Sequence, residues 1–259
     1  MAVSAQDRDT LDMVRDAIRN KRIRLGYQQV VSSKAPDRPA FCEGLLRVLD
    51  RKGRVIPAHD FIDVVEQDQM GRQLDVLALE TGLAMLGKHP GLRLSINMSA
   101  RSIGYPQWKQ TLYAGLKGDR TIAERLVLEI SEDTMIAIPE LVQVFMEELH
   151  LQGISFALDN FGKTVTSLRH LRDLFFDIIK IDGTFTHDLV DNPDNRAMIK
   201  AIVAMAGALE TYTVAQKVET RGDAEVLIDL GVDGMQGYFF GAPTLNPGWM
   251  SQEMCCKVG

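Results

Sequence analysis

Six short apolar runs, each closed by a polar side chain, constrain this chain more than anything else in it. Leu92 to Ile96 ends in Asn97, Leu126 to Leu128 in Glu129, and Ile154 to Leu158 in Asp159. Asp177 to Ile179 ends in Lys180, Tyr212 to Ala215 in Gln216, and Val232 to Met235 in Gln236. Apolar runs this short, without helical period, read as strands buried on both faces, the habit of a parallel sheet. The polar ends follow one another at 32, 30, 21, 36 and 20 residues. A strand, a loop and a crossover helix need about 30 residues, so most intervals hold one βα unit. Pro139 to Gln152, Arg196 to Glu210 and Arg221 to Leu230 are the crossover helices that periodicity picks out.

Two further strands come first, Arg24 to Val31 and Ala40 to Leu49, parted by the polar, proline-bearing turn Ser32 to Pro39. With the turn Asp50 to Gly53 behind them, they form an antiparallel opening. An amphipathic helix over Asp7 to Asn20 leads in, and Asp60 to Glu66 and Leu74 to Leu86 carry helical spacing. Two strands plus six make eight. The fold class is α/β, and a single (β/α)8 barrel is the economical closure, with a doubly wound open sheet second.

Bulk composition narrows the function. A length of 259 residues suits one large α/β domain, and 46% apolar residues suffice for its core. The net charge of −6 argues against DNA binding by phosphate neutralisation. No apolar run nears the roughly 18 to 20 residues of a membrane span, and the charged, amphipathic N-terminus is no signal peptide. Cys42, Cys255 and Cys256 offer neither ligand spacing nor a disulfide framework, so a cytoplasmic location is expected.

In a barrel, the C-terminal strand ends converge on one mouth. Glu43, inside the second strand, would meet Asn97, Glu129 and Asp159 there. Three carboxylates and an amide oxygen suit a hard cation such as Mg²⁺, Mn²⁺ or Ca²⁺. Lys180 adds a charge for an anion, and Gln216, Glu219 and Gln236 complete the rim. Simpler roles exist for each residue. Asp159 could cap a helix over Lys163 to Leu171, Glu129 could pair with Lys180, and Asn97 is a common turn former. Six separate accidents are less economical than one shared site.

These residues also fall into a known order. Tyr27-Gln28, Glu43-Gly44-Leu45-Leu46-Arg47, Ile96-Asn97-Met98-Ser99, Leu128-Glu129-Ile130-Ser131-Glu132, Lys180-Ile181-Asp182 and Gln236-Gly237-Tyr238-Phe239-Phe240 with Pro243 resemble the successive motifs of the bacterial EAL domain, which hydrolyses cyclic di-GMP to a linear dinucleotide. The resemblance spans about residues 22 to 246, with 1 to 21 as an added N-terminal helix of one domain. It implies a modified TIM barrel with an antiparallel first strand. It implies a metal site at Glu43, Asn97, Glu129 and Asp159, and ligand contacts at Gln28, Leu46, Arg47, Asp182, Gln236 and Pro243. Lys180, Glu219 and position 216 would be catalytic, and Glu132 would anchor a loop. Mg²⁺ or Mn²⁺ would be the cofactor, cyclic di-GMP the ligand, and a homodimer or a protein partner would be in keeping. Arg47 has a plainer alternative, an ion pair with Glu66 or Asp75.

Three departures from the family pattern bear on activity. Its DDFGTG is here Asp159-Asn160-Phe161-Gly162-Lys163-Thr164, and its EGVE is Gln216-Lys217-Val218-Glu219. Active members, as the resemblance implies, use two metals about 3.5 to 4 Å apart to activate a water. Asn160 and Gln216 replace two carboxylates of the second metal site, and Gln216 cannot serve as a base. Lys163-Thr164 in place of Thr-Gly stiffens the turn. Lys217 follows Gln216, and strand alternation would point it away from the mouth. The expectation is a degenerate EAL domain that binds cyclic di-GMP with hydrolysis lost or very weak. An active phosphodiesterase is the first rival, and an interaction module that binds no nucleotide is the second.

Overall fold

The computed structural model of the protein describes residues 5–66, 68–164 and 168–252. Its strands are β1 (Ile23–Ser32), β2 (Ala35–Leu49), β3 (Val55–Pro57), β4 (Leu94–Asn97), β5 (Leu126–Ser131), β6 (Ser155–Phe161), β7 (Ile178–Ile181), β8 (Tyr212–Ala215) and β9 (Gly234–Met235). From β2 the sheet runs in parallel through β4, β5, β6, β7 and β8 to β9. β1 then closes the ring, antiparallel to both β9 and β2. Eight strands thus form a barrel with an inverted first strand, and the open sheet is excluded.

The barrel's filling follows from the period of two along a strand. Phe41, Val127, Ala157, Ile178 and Val214 form one buried apolar cluster with Val30. Each of these five stands two residues before Glu43, Glu129, Asp159, Lys180 or Gln216, so it shares a face with that side chain one pleat lower. The polar layer at the mouth therefore rests on an apolar plug. Outside the ring a larger cluster joins the sheet to its helices, including Trp108 and Leu112 of helix Pro106–Leu116 and Phe145 and Leu149 of helix Pro139–His150. A third lies under the N-terminal helix Ala5–Arg19, around Val14, Ala17, Phe61 and Leu74.

Several boundaries differ from the sequence reading. The connection between β1 and β2 is only Ser33 and Lys34, because β2 already begins at Ala35. Register shifts at Val30/Val31 and Val31/Ser32 set Pro39 opposite Val31, the irregular pairing in which a strand tolerates proline. β3, of three residues, pairs with β2 outside the closed ring. Helix Pro106–Leu116 fills the interval from Asn97 to Glu129, where periodicity picked out no helix. Beyond β6 the described helix is Leu168–Asp173, so most of the expected Lys163 to Leu171 helix is not helical or lies outside the described residues.

One buried contact fixes the loop that leaves β4 beside the site. Asp75, on helix Gln69–Lys88, accepts from the Ser99 backbone N–H at 3.0 Å, the Ser99 hydroxyl at 2.8 Å and the Ser102 hydroxyl at 2.6 Å. Asp75→Ala should lower the unfolding free energy by about 2–3 kcal/mol, since several donors lose a charged acceptor at once. Chemical denaturation against wild type checks this.

Candidate functional site

Lys180 lies at the centre of the mouth. It is completely buried, and its Nζ donates to Glu129 Oε2 at 2.5 Å and Glu43 Oε2 at 2.9 Å, with Asp159 Oδ1 at 3.3 Å. Glu43 also accepts from Asn97 Nδ2 at 2.7 Å and Gln236 Nε2 at 2.7 Å. Five strand ends thus meet through hydrogen bonds, and Glu129 does pair with Lys180, as the plainer reading allowed.

Charge distributes unevenly over this cluster. Burial alone would strip Lys180 of its proton, but the charges of Asp159, Glu129 and Glu43 hold its pKa well above the ordinary lysine value. Burial also works against the Glu43 charge; Lys180 and the bonds from Gln236 and Asn97 more than reverse it, and its pKa falls below the ordinary value. Glu129 has Lys180 as its hydrogen-bond donor, and its Oε1 is buried with no partner. Burial first, then the neighbouring Glu43 charge, push the Glu129 pKa up to about 8.

β6 delivers two consecutive polar side chains to the site. Its register against β7 shifts between Leu158 and Phe161, and Asn160 takes a left-handed backbone with φ of 58°. Such a bulge re-aims side chains, and asparagine tolerates that conformation better than most residues. Asn160 Nδ2 donates to Asp159 Oδ2 at 2.6 Å, and Gln216 Nε2 donates to Asp159 Oδ1 at 2.8 Å. A carboxylate only accepts, so both amides must turn their NH₂ groups toward it. Asp159 is therefore no helix cap. Glu132 accepts from the Gly162 N–H at 3.2 Å, the Thr164 N–H at 2.8 Å and the Thr164 hydroxyl at 2.9 Å, and so pins the turn after β6.

Above the cluster opens a cleft of about 670 Å³, lined among others by Gln28, Glu43, Leu45, Arg47, Gln216, Lys217, Glu219, Gln236, Tyr238 and Pro243. Three sequence readings need correction here. Leu45 lines the cleft, since residues two apart share a face with Glu43 and Arg47, whereas Leu46 turns away and packs on the core. Lys217 lines the cleft as well. β8 stops at Ala215, and the alternation that would have turned Lys217 away stops with it. Asp182 is buried, and its Oδ1 accepts the Thr184 N–H at 2.9 Å as a turn anchor. Arg47 donates to the Leu46 carbonyl at 2.9 Å and faces the cleft, while Asp75 is occupied by Ser99 and Ser102. Gln28 bonds the Gly241 carbonyl at 3.0 Å and accepts from Gln236 at 3.3 Å. His59, Leu45 and Tyr238 were not singled out as site residues by sequence, although the strand period would have found Leu45.

The model of the EAL domain matches residues 11–243. This chain belongs to the EAL domain family. It is 29% identical over 250 residues to the bifunctional diguanylate cyclase/cyclic di-GMP phosphodiesterase MucR of Pseudomonas aeruginosa, covering 94% of this chain and 36% of that protein. It is 30% identical over 203 residues to the probable cyclic di-GMP phosphodiesterase PdeA of Escherichia coli, covering 77% and 28%. The chain thus spans about a third of the length of these relatives. Among solved structures, the PaMucR phosphodiesterase in complex with c-di-GMP superposes with a TM-score of 0.80 at 27% identity, over 94% of this chain and 99% of that one. The c-di-GMP-bound FimX EAL domain of Pseudomonas aeruginosa gives 0.84 at 24% identity, over 92% and 97%, a likeness of fold.

Among the described residues, no three His, Cys, Asp or Glu side chains stand ready around a metal position, and the Lys180 ammonium lies among the acids. The donor chemistry nevertheless fits one hard divalent cation. Glu43, Asn97, Glu129 and Asp159 can all offer oxygen, Glu129 Oε1 is buried with no hydrogen-bond partner, and a cation there would favour the ionised form of Glu129 that burial opposes. Beside it, Asn160 and Gln216 point amide hydrogens at Asp159 and bring no negative charge of their own for a second cation.

The raised Glu129 pKa carries a pH dependence. An acid whose folded pKa exceeds its unfolded value stabilises the fold most below the unfolded value, and that contribution is lost as pH climbs through the folded one. Without divalent metal, stability should therefore fall between about pH 4.5 and 8 by up to about 1.4 kcal/mol per unit. Denaturation midpoints across that range should show a flatter profile for Glu129→Gln than for wild type.

Proposed function

We propose that this EAL domain binds cyclic di-GMP in the cleft at the barrel mouth and hydrolyses it very slowly or not at all. The observation that carries the reading is the pair of amide bonds onto Asp159. Attack by water on a phosphodiester needs a group to take the proton and positive charge to meet the developing negative charge. Gln216 has no basic lone pair to offer, and Asn160 adds no charge. Recognition asks for less. Arg47 brings a guanidinium suited to bidentate phosphate binding, and Gln28, Gln236 and Pro243 offer the edges and surface a guanine base would meet. One Mg²⁺ or Mn²⁺ held by Glu43, Asn97, Glu129 and Asp159 would lend positive charge to a phosphate oxygen. Lys180 keeps the acids in place beneath it, and Glu132 fixes the turn that carries Asn160.

Relatives named as phosphodiesterases, together with an undisturbed Lys180–carboxylate cluster, support slow residual hydrolysis as the second reading. A cytoplasmic setting, pairing of two copies through helices beside β6 and a protein partner that reads the bound state would complete the receptor. Among the described residues no helix is long and apolar enough to cross a membrane.

Calorimetric titration with cyclic di-GMP in Mg²⁺ or Mn²⁺ should give micromolar or tighter binding; no heat at all would leave only an interaction module. In single-turnover assays, Asn160→Asp combined with Gln216→Glu should speed formation of the linear dinucleotide by about 10²- to 10⁴-fold. Wild type already turning over as fast as the double variant would reject the receptor reading.

A further inference from the structure

The cleft holds two long cationic side chains from different parts of the sheet. Arg47 comes from β2, and Lys217 from the segment just after β8. Lys217 sits there at a cost. Its φ of 54° lies in the left-handed region, which crowds the Cβ of an L-residue. Among the described residues, five non-glycine residues share that region, and three have ordinary grounds for it. Lys21 and Glu210 follow the ends of helices Ala5–Arg19 and Pro193–Ala208, where a left-handed residue commonly closes the last turn. Asp188 is an aspartate in a turn, a residue type that tolerates the region. The remaining two, Asn160 and Lys217, both flank the mouth.

The lysine stem is also supported. A Cβ placed on Gly183 would stand 2.4 Å from Lys217 Cδ, 2.8 Å from Cγ and 2.9 Å from Cβ, so the stem lies on the bare backbone of that glycine. The ammonium forms no ion pair within the described residues. Glu43, which shares Lys180 with two other acids, and Glu219 are the acidic side chains lining the cleft with the two cations. Observed strain at a cleft, with a braced stem and an unspent charge, argues for a ligand task.

We infer that Lys217 is a ligand-binding residue, whose ammonium takes one phosphodiester anion of a cyclic dinucleotide while Arg47 takes the other. The inference rests on the receptor reading and deepens it. A cyclic dinucleotide carries two such anions, and the cleft offers one cation to each without any metal. Lys217 thereby supplies positive charge beside Gln216, where the amide cannot help to hold a second cation.

Titration of full-length wild type, Lys217→Met, Lys217→Gly and Lys217→Arg with cyclic di-GMP in EDTA, at low and high KCl, tests it. Met and Gly should bind about 10- to 100-fold more weakly, as expected for loss of a charged hydrogen bond. Their affinities should depend less on salt than wild type does. Arg should recover most of the affinity. Lys217→Gly relieves the backbone strain, so its Tm should match or exceed wild type, which separates lost affinity from unfolding. Met and Gly variants that bind like wild type, with the same salt dependence, would overturn the role of Lys217 and leave the receptor reading standing. Absence of binding by wild type, with or without Mg²⁺, would remove both.

Discussion

One buried ammonium group governs the mouth of this barrel. Glu43, Glu129 and Asp159 come from three strands and converge within a few ångströms of Lys180 Nζ on a fourth. Two like charges 4 Å apart repel by about 4 kcal/mol at an effective dielectric of 20, so three such acids need a cation between them. Lys180 supplies it from β7, and the strand order around the ring makes that possible. The ammonium also decides which acid bears the remaining strain. Glu43, with its two extra amide donors, keeps its charge, and Glu129 takes the penalty of burial.

The same cluster explains how amides at positions 160 and 216 fit the fold. An aspartate at 160 and a glutamate at 216 would face Asp159 as like charges and call for a cation among them. The amides have nearly the same shape and the reverse polarity. Their NH₂ groups close onto both Asp159 oxygens at 2.6 and 2.8 Å, while the Gln216 Oε1 is buried without a hydrogen-bond partner. Ground-state recognition and transition-state chemistry draw on different groups here. In the proposed reading Arg47, Lys217 and the glutamines serve recognition, while Asn160 and Gln216 bring neither a base nor a negative charge.

Much of this was legible in the residues, for a physical reason. A buried strand that ends in a charged side chain must aim that charge at something, and six such ends at βα spacing have one common place to meet. Hence the barrel, the inverted opening strand and the Glu–Lys pairing could all be read before any coordinates. The errors fall where the strand period stops holding. β8 ends at Ala215, and a left-handed Lys217 turns into the cleft where alternation pointed it out. In β6 the bulge brings Asp159 and Asn160 to the same side, which no period of two foresees. Leu46 was placed on the ligand by resemblance, although the alternation from Glu43 to Leu45 to Arg47 already assigned that face. Pro39 marked a turn in the sequence and proved to be a strand position opposite Val31, where the register of β1 against β2 shifts and can absorb a proline.

The tolerance of the mouth to change follows from how the barrel is layered. Four of its polar side chains stand one pleat above an apolar partner on the same strand, Glu43 over Phe41, Glu129 over Val127, Asp159 over Ala157 and Lys180 over Ile178, and Gln216 follows β8 directly, two residues after Val214. Beneath the amides the plug is intact, so exchanging acid for amide opens no cavity and exposes no core. The left-handed residues Asn160 and Lys217 likewise sit where the chain bends or has just left its strand, and their strain does not pass into the ladder below. A barrel built this way separates its apolar plug from its polar mouth by one pleat, two residues along each strand. Side chains of the upper layer can therefore be exchanged for isosteres without disturbing the lower layer that folds the barrel.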